Sequence, residues 1–217
     1  MDIDGSQRGT GVPETEDGIV IGNTYDKYGA TNPIARRLTD GFLAKFDHLV
    51  SHSEARNVHE VGCGEGKLSI RMASNGADVR GSDFSSQIIE EARDNATAAG
   101  VVVPFKVASI YDLDPNVDAA SLIVSSEVLE HLEHPEQGLD MLAALADPWL
   151  LVSVPREPVW RALNMARAKY LNTWGNTPGH LQHWSKRSFL DFLGSRVDVI
   201  VEDSPFPWTM ALCKTRP

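Results

Sequence analysis

The stretch Glu60-Val61-Gly62-Cys63-Gly64-Glu65-Gly66 narrows the folds open to this 217-residue chain more than any other segment. It joins the short run RNVHEV to the amphipathic stretch GKLSIRMASNG and places glycine at every second position. Glycine adopts positive φ at little cost and lets backbone come close to a ligand. Three of them between a strand and a helix therefore mark a turn built to be approached. Such a turn belongs to a βα unit, and a βα unit needs a parallel neighbour. The spacing is E-x-G-x-G-x-G. Lys67 stands where the dinucleotide pattern G-x-G-x-x-G would have its last glycine.

Downstream the pattern repeats. ADVRGSD reads as a second strand and SSQIIEEARDNATAAG as a helix, capped by Ser85 or Ser86 and stopped by Gly100. VVPFKVAS and AASLIVSS read as third and fourth strands, PEQGLDMLAALAD as a helix opened by Pro135, and PWLLVSVP as a fifth strand. Ahead of the glycine turn, Asn32-Pro33 opens a helix with the apolar stripe Ile34, Leu38, Phe42, Phe46 and Leu49. Strands that are apolar throughout are buried on both faces, as in parallel sheets between helix layers. The expectation is an α/β, doubly wound, Rossmann-like sheet of seven mostly parallel strands. VDVIVED and WTMALCK follow the helix SFLDFLG and close it as a C-terminal antiparallel hairpin through SPFP.

The totals restrict the setting. A net charge of −10 argues against nucleic acid as a partner, since a phosphate backbone asks for a cationic footprint. Cys63 and Cys213 are the two cysteines; they have no metal-type spacing and fit a reducing compartment without a disulfide framework. The start MDIDGSQRGTGVPETEDG is acidic rather than basic-then-apolar, and no apolar run nears the ~20 residues of a membrane span. Residues 1–20 are expected as a flexible leader and the protein as cytoplasmic, a monomer or homodimer.

Asp83 closes the second strand 23 residues after Glu60, where α/β nucleoside sites keep an acid for ribose hydroxyls. A nicotinamide-dependent oxidoreductase on the same fold would carry G-x-G-x-x-G. A non-catalytic cofactor-binding protein would carry the turn and tolerate loss of the ionisable groups beside it. Such groups stand directly after the fourth strand, in Ser126-Glu127-Val128-Leu129-Glu130-His131. On a helix, Glu127, Glu130 and His131 share one face, at the strand end where a ligand crevice opens. Two uses are open: His131 as a general base oriented by Glu130, or the carboxylates gathered around a cation.

The segments EVGCGEG, VRGSDFS, SLIVSSEVLEHL and LLVSVP resemble, in order and spacing, those of the class I S-adenosylmethionine-dependent methyltransferases, over about residues 55–217. The resemblance implies one methyltransferase domain over residues 21–217. Glu60, Gly62, Gly64 and Gly66 would border the methionine part of S-adenosylmethionine, Asp83 would take the ribose hydroxyls, and Phe84 would lie against the adenine. Ser109 and Ile110 would flank the ring, Ser109 standing where the commonest pattern has an acid. Glu127 would line the pocket between cofactor and acceptor. The segment Gly179-His180-Leu181-Gln182-His183-Trp184, with Phe189 beyond it, is similar to one in ubiquinone-pathway O-methyltransferases and small-RNA 2′-O-methyltransferases, which share E-x-x-E-H. Carried over, that likeness implies a divalent cation, Mg²⁺ or Mn²⁺, on Glu127, Glu130, His131 and His180. His183 is a further candidate ligand or base. The expected reaction is O-methylation of a small-molecule acceptor, with N-methylation or RNA 2′-O-methylation as alternatives.

Residues 155–182 are expected as a lid. REPVWRALNMARAKYLNTWGNTP reads as a cationic amphipathic helix with Val159, Ala162, Leu163, Ala166 and Tyr170 on one face and Arg161, Arg167 and Lys169 elsewhere. It can pack over the pocket, hold a substrate anion through Arg156, Arg161 or Arg167, or touch a membrane surface with Trp160 and Trp174 as anchors. Tyr25, Tyr28 and Arg36 are candidates for closing over the cofactor. His48, His52 and His59 read as surface or packing residues, and His134 as part of a helix start.

Overall fold

A computed structural model describes residues 15–16, 19–20, 32–166, 170 and 173–216. Tyr25, Tyr28, Arg167 and Lys169 lie outside the described residues. So does the leader, apart from two paired two-residue strands, β1 (Thr15–Glu16) and β2 (Ile19–Val20).

Asn32 opens helix α1 (Pro33–Ser53) by accepting the Ile34 N–H on its side chain at 2.9 Å, with Pro33 in the first turn. The glycine turn then leads from β3 (Asn57–Val61) into α2 (Lys67–Ser74), followed by β4 (Asp78–Asp83) and α3 (Ser86–Ala99). Ser85 caps α3 and Gly100 ends it at φ 69°. The next elements are β5 (Phe105–Val107), the turn α4 (Pro115–Asp118), β6 (Ala120–Ser126), α5 (Pro135–Leu145) and β7 (Ala146–Pro155). The chain ends with α6 (Val159–Ala166), α7 (Lys186–Gly194), β8 (Val197–Asp203) and β9 (Trp208–Thr215). β5 is shorter than VVPFKVAS promises. Pro104 has no N–H for a ladder, and its carbonyl instead accepts from Gly81 at its start.

The sheet order is β5-β4-β3-β6-β7-β9-β8. β3 pairs parallel with both β4 and β6, β4 with β5 and β6 with β7, while β9 runs antiparallel between β7 and β8. The expected seven-stranded sheet with a closing hairpin is thus observed. The chain leaves β3 towards β4 and β5, then returns to β6 on the other side. This reversal opens a crevice at the carboxyl ends of β3 and β6, where the glycine turn and the SEVLEH segment both emerge.

Each face of the sheet is covered. Phe42 and Phe46 of α1, Leu68 and Met72 of α2, and Ile89 and Ala92 of α3 pack on Val58, Leu122, Val124 and Leu212. Leu139, Leu142 and Leu145 of α5, with Phe189 and Leu193 of α7, pack on Ile123, Leu150 and Val152. Phe42 is fully buried and meets Trp208 edge-on at 5.0 Å, so its truncation to alanine costs about 3–5 kcal/mol. Ile34, placed in the stripe by its spacing, is 73% exposed, and the buried face begins further along the helix.

Of the two expected uses, surface or packing, His59 takes the second, as a buried polar group. It is fully inaccessible; its Nδ1 lies 2.8 Å from the Asp118 carbonyl and its Nε2 2.9 Å from Ser82 Oγ. A carbonyl can only accept, so Nδ1 carries the proton and Nε2 takes the Ser82 hydroxyl. Burial, reinforced by nearby Arg80 and Lys106, holds the imidazole below its ordinary pKa of 6.5. The unfolded chain then takes up the proton first. The stabilisation is present above 6.5 and is lost as pH falls from there through the folded value. The melting midpoint should therefore fall between about pH 7.5 and about pH 5, and fall less in His59→Gln, as scanning calorimetry across pH would record.

Candidate active site

The glycine turn is braced by the next strand. The Gly62 and Cys63 N–H groups both donate to the Ser82 carbonyl, at 2.8 and 3.0 Å, and the Gly64 N–H donates to the Asp83 carboxylate at 3.0 Å. Asp83 also accepts the Ser85 N–H at 3.1 Å. Burial pushes its carboxyl up from the ordinary value, and these two amides pull it back. Glu60, 2% exposed, accepts from Ser69 Oγ of α2 at 2.5 Å. Gly62, Gly64 and Gly66 hold φ of 75°, 50° and 76°. A side chain at Gly62 would overlap Val128 and one at Gly66 would press on Phe105, whereas a Cβ at Gly64 meets nothing within 4 Å and faces open space. Phe84 is half-buried and Ile110 buried. Ser109, also half-buried, caps the turn Ile110–Asp112 by accepting the Tyr111 N–H.

SEVLEH is not an α-helix. Glu127 takes a left-handed φ of 59° directly after β6, and its N–H donates to the Ser153 carbonyl. A single 3₁₀ turn, Leu129–His131, follows. The expected single helical face is therefore broken between Glu127 and Glu130. Glu130 is turned inward at 2% exposure, and His131 is half-buried beside it.

The second half of the cluster comes from the segment after α6. The Leu181 and Gln182 N–H groups both donate to the Glu130 carbonyl, at 2.8 and 2.9 Å, and Gln182 Nε2 donates to the Leu132 carbonyl. His131 Nδ1 donates to the Gly179 carbonyl at 2.9 Å, which leaves Nε2 with its lone pair. This docking sets His180 against His131 with ring centroids 4.9 Å apart. Glu130, His131 and His180 each offer a ligand atom, all within 4.8 Å of one another. Burial lowers both imidazole pKa values; for His180 the further influence of His131 helps carry it to about 3. Both rings are neutral near pH 7, the form that can ligate a metal.

Two of the expected ligands lie outside this group. Glu127, displaced by its left-handed backbone, contributes no atom to it, although its charge is felt by both histidines. His183 is exposed, with Nε2 2.7 Å from Asn176 Oδ1 and 3.0 Å from an Arg161 nitrogen.

Among the described residues the cationic helix covers Val159–Ala166, and Tyr170, expected on its apolar face, stands outside it at φ 54°. Asn164, buried, donates to the Gly175 carbonyl and to Thr177 Oγ1; Trp160 Nε1 donates to the same hydroxyl. Trp160 packs on Trp208 at 5.7 Å, so it is a packing residue, while Trp174 is 78% exposed. Arg156 lies over the Phe206 ring at 5.9 Å, and Arg161 lies 3.9 Å from Glu157. Arg36 is exposed on α1, and His134 stands at the start of α5 as expected. The sequence reading missed Ser69, Ser82, Gly179 and Thr177. A serine on the buried face of an amphipathic helix, as Ser69 is, was the one available signal.

Comparison with known proteins agrees with this geometry. Residues 58–148 match the family described as "Methyltransferase domain". Over that segment the chain is similar to methyltransferase domains. Its sheet superposes on that of magnesium protoporphyrin IX methyltransferase (ChlM) from Synechocystis, crystallised with S-adenosylhomocysteine, with a TM-score of 0.66 at 20% identity over 87% of this chain and 90% of that one. In sequence the chain is similar to ubiquinone biosynthesis O-methyltransferases. Identity is 28% over 155 residues for the Cereibacter sphaeroides protein, covering 69% of this chain and 62% of that one. It is 32% over 114 residues for the Bordetella avium protein, covering 51% and 47%. The chain thus spans roughly half to three-fifths of the length of these relatives. Among the described residues no helix is long and apolar enough to cross a membrane.

The glycines separate by what surrounds them. Gly62→Ala should lower stability by about 2–4 kcal/mol in urea unfolding, because the backbone is strained and Val128 is in the way. Gly64→Ala should lose only about 1 kcal/mol.

Proposed function

We propose that this chain transfers a methyl group from S-adenosylmethionine to a hydroxyl oxygen of a small-molecule acceptor. The observation that carries the reading is the convergence, at one switch point, of an open glycine turn tied to Asp83 and a buried carboxylate–imidazole cluster. The open space beside Gly64 fits close approach of a ligand to the backbone. Asp83, fixed by two amides, presents its carboxylate for a pair of ribose hydroxyls. Phe84, Ser109 and Ile110 stand at the ends of the next strands for the adenine. Glu60 keeps α2 against the turn through Ser69, and Glu127 occupies the rim between the two halves. Bound there, the donor supplies an electrophilic methyl carbon on a sulfonium.

The acceptor side rests on Glu130, His131 and His180. Atoms within 4.8 Å of one another, one carboxylate and two neutral imidazoles, fit a divalent cation such as Mg²⁺ or Mn²⁺. A cation held there would lower the pKa of a coordinated hydroxyl. His131 Nε2, left bare by the Nδ1–Gly179 bond, can equally receive the hydroxyl proton. Residues 155–182 act as the lid over this side of a single domain spanning residues 21–217. The likeness to ubiquinone biosynthesis O-methyltransferases supports oxygen as the accepting atom, and the −10 charge weighs against RNA.

Calorimetry with S-adenosylhomocysteine is the first test. Micromolar affinity is expected for the wild type, with a loss of about a hundredfold in Asp83→Ala, and no binding to the wild type would end the proposal. Glu130→Ala should keep that affinity but abolish methyl transfer from radiolabelled S-adenosylmethionine to a panel of hydroxylated metabolites. Mn²⁺ titration followed by electron paramagnetic resonance should detect one site in the wild type and none in His180→Ala.

A further inference from the structure

β3 carries two adjacent ionisable residues that point to opposite faces of the sheet, and the proposed mechanism uses only Glu60. His59 lies on the other face, and its two hydrogen bonds run to distant parts of the chain. Nδ1–H donates to the carbonyl of Asp118, at the end of α4. Nε2 accepts from the hydroxyl of Ser82, whose backbone carbonyl receives both the Gly62 and the Cys63 N–H. Ser82 is fully buried and immediately precedes Asp83, which holds Gly64. One hydrogen-bonded relay therefore runs from Asp118 through the imidazole and Ser82 into three consecutive amides of the glycine turn.

We propose that His59 is a positioning residue for the turn, its neutral imidazole fixing Ser82 and so the carbonyl from which Gly62 and Cys63 hang. This rests on the reading of that turn as the S-adenosylmethionine site. The relay needs Nε2 to be an acceptor, which only the neutral ring provides. The groups facing the imidazole are Arg80 of β4, Lys106 of β5 and Asp118. The Asp118 carboxylate is already bonded to Lys106 at 3.0 and 3.1 Å and to the Asp114 N–H at 3.0 Å. Arg80 donates to the Asp118 carbonyl and to that of Ala119. A proton on His59 would add a positive charge beside two others and remove the acceptor for Ser82, loosening the turn from behind.

The test compares wild type, Ser82→Ala, His59→Leu and His59→Gln by amide hydrogen exchange at Gly62 and Cys63 and by calorimetry with S-adenosylhomocysteine. Ser82→Ala keeps the backbone carbonyl and removes only the link. It should speed exchange at both amides about tenfold and weaken the ligand by a similar factor, the scale of one lost hydrogen bond. His59→Leu should do the same. His59→Gln, with a donor and an acceptor on one side-chain amide, should recover most of both. Wild-type affinity should decline as pH falls through the titration of the folded imidazole, which burial sets below 6.5, and the decline should be absent in His59→Gln. Exchange rates and affinities within twofold of wild type in both Ser82→Ala and His59→Leu, whatever their melting midpoints, would overturn the proposal. If the wild type binds no S-adenosylhomocysteine, the functional reading fails, while the exchange rates still decide whether the relay holds the turn.

Discussion

The pair of amide hydrogen bonds from Gly62 and Cys63 to the Ser82 carbonyl governs the site. These bonds continue the β3–β4 ladder past the end of β3, where a parallel sheet would otherwise leave carbonyls and amides to solvent. The chain can follow that path only with positive φ at Gly62, Gly64 and Gly66. The ladder thus dictates the glycines, and the glycines leave a stretch of bare backbone at the switch point. Asp83, one residue beyond Ser82, then lies where its carboxylate reaches Gly64.

Across the crevice the constraint is different. β6 is followed directly by Glu127 in left-handed backbone, and a 3₁₀ turn, Leu129–His131, comes next. Such a turn cannot hold its side chains in register alone. It is completed by a segment some 50 residues later, whose amides bond to the Glu130 carbonyl and whose Gly179 carbonyl orients the His131 ring. One half of the site is therefore set by sheet geometry and the other by a docked loop.

That division explains what could be read from residue order. The glycine turn, Asp83, the Ser85 cap and the alternation of strands and helices are local, and each leaves a mark within a few residues. His59 could not be placed because its partners stand 59 and 23 residues away, and an imidazole in a strand looks alike whether wet or buried. The helical reading of SEVLEH failed at Glu127, since a non-glycine residue at positive φ has no reliable signature. Glu130 and His131 were marked by their spacing after β6 and His180 by resemblance, and the structure brings those three together without Glu127. Asn164 and Trp160 of the lid helix bind Gly175 and Thr177 of a later segment, contacts invisible to an amphipathic pattern.

The docking of residues 179–182 on the Glu130 carbonyl makes the acceptor side conditional. When that loop lifts, His180 leaves and His131 loses the hydrogen bond that sets its tautomer, so Glu130 keeps only a loosely oriented imidazole beside it. Whatever occupies the three side chains is then bound by an intrinsic constant divided by the docked fraction. A substitution in the loop far from any ligand atom would thus read out as weakened occupancy, and the occupant in turn acts as a latch holding the loop shut.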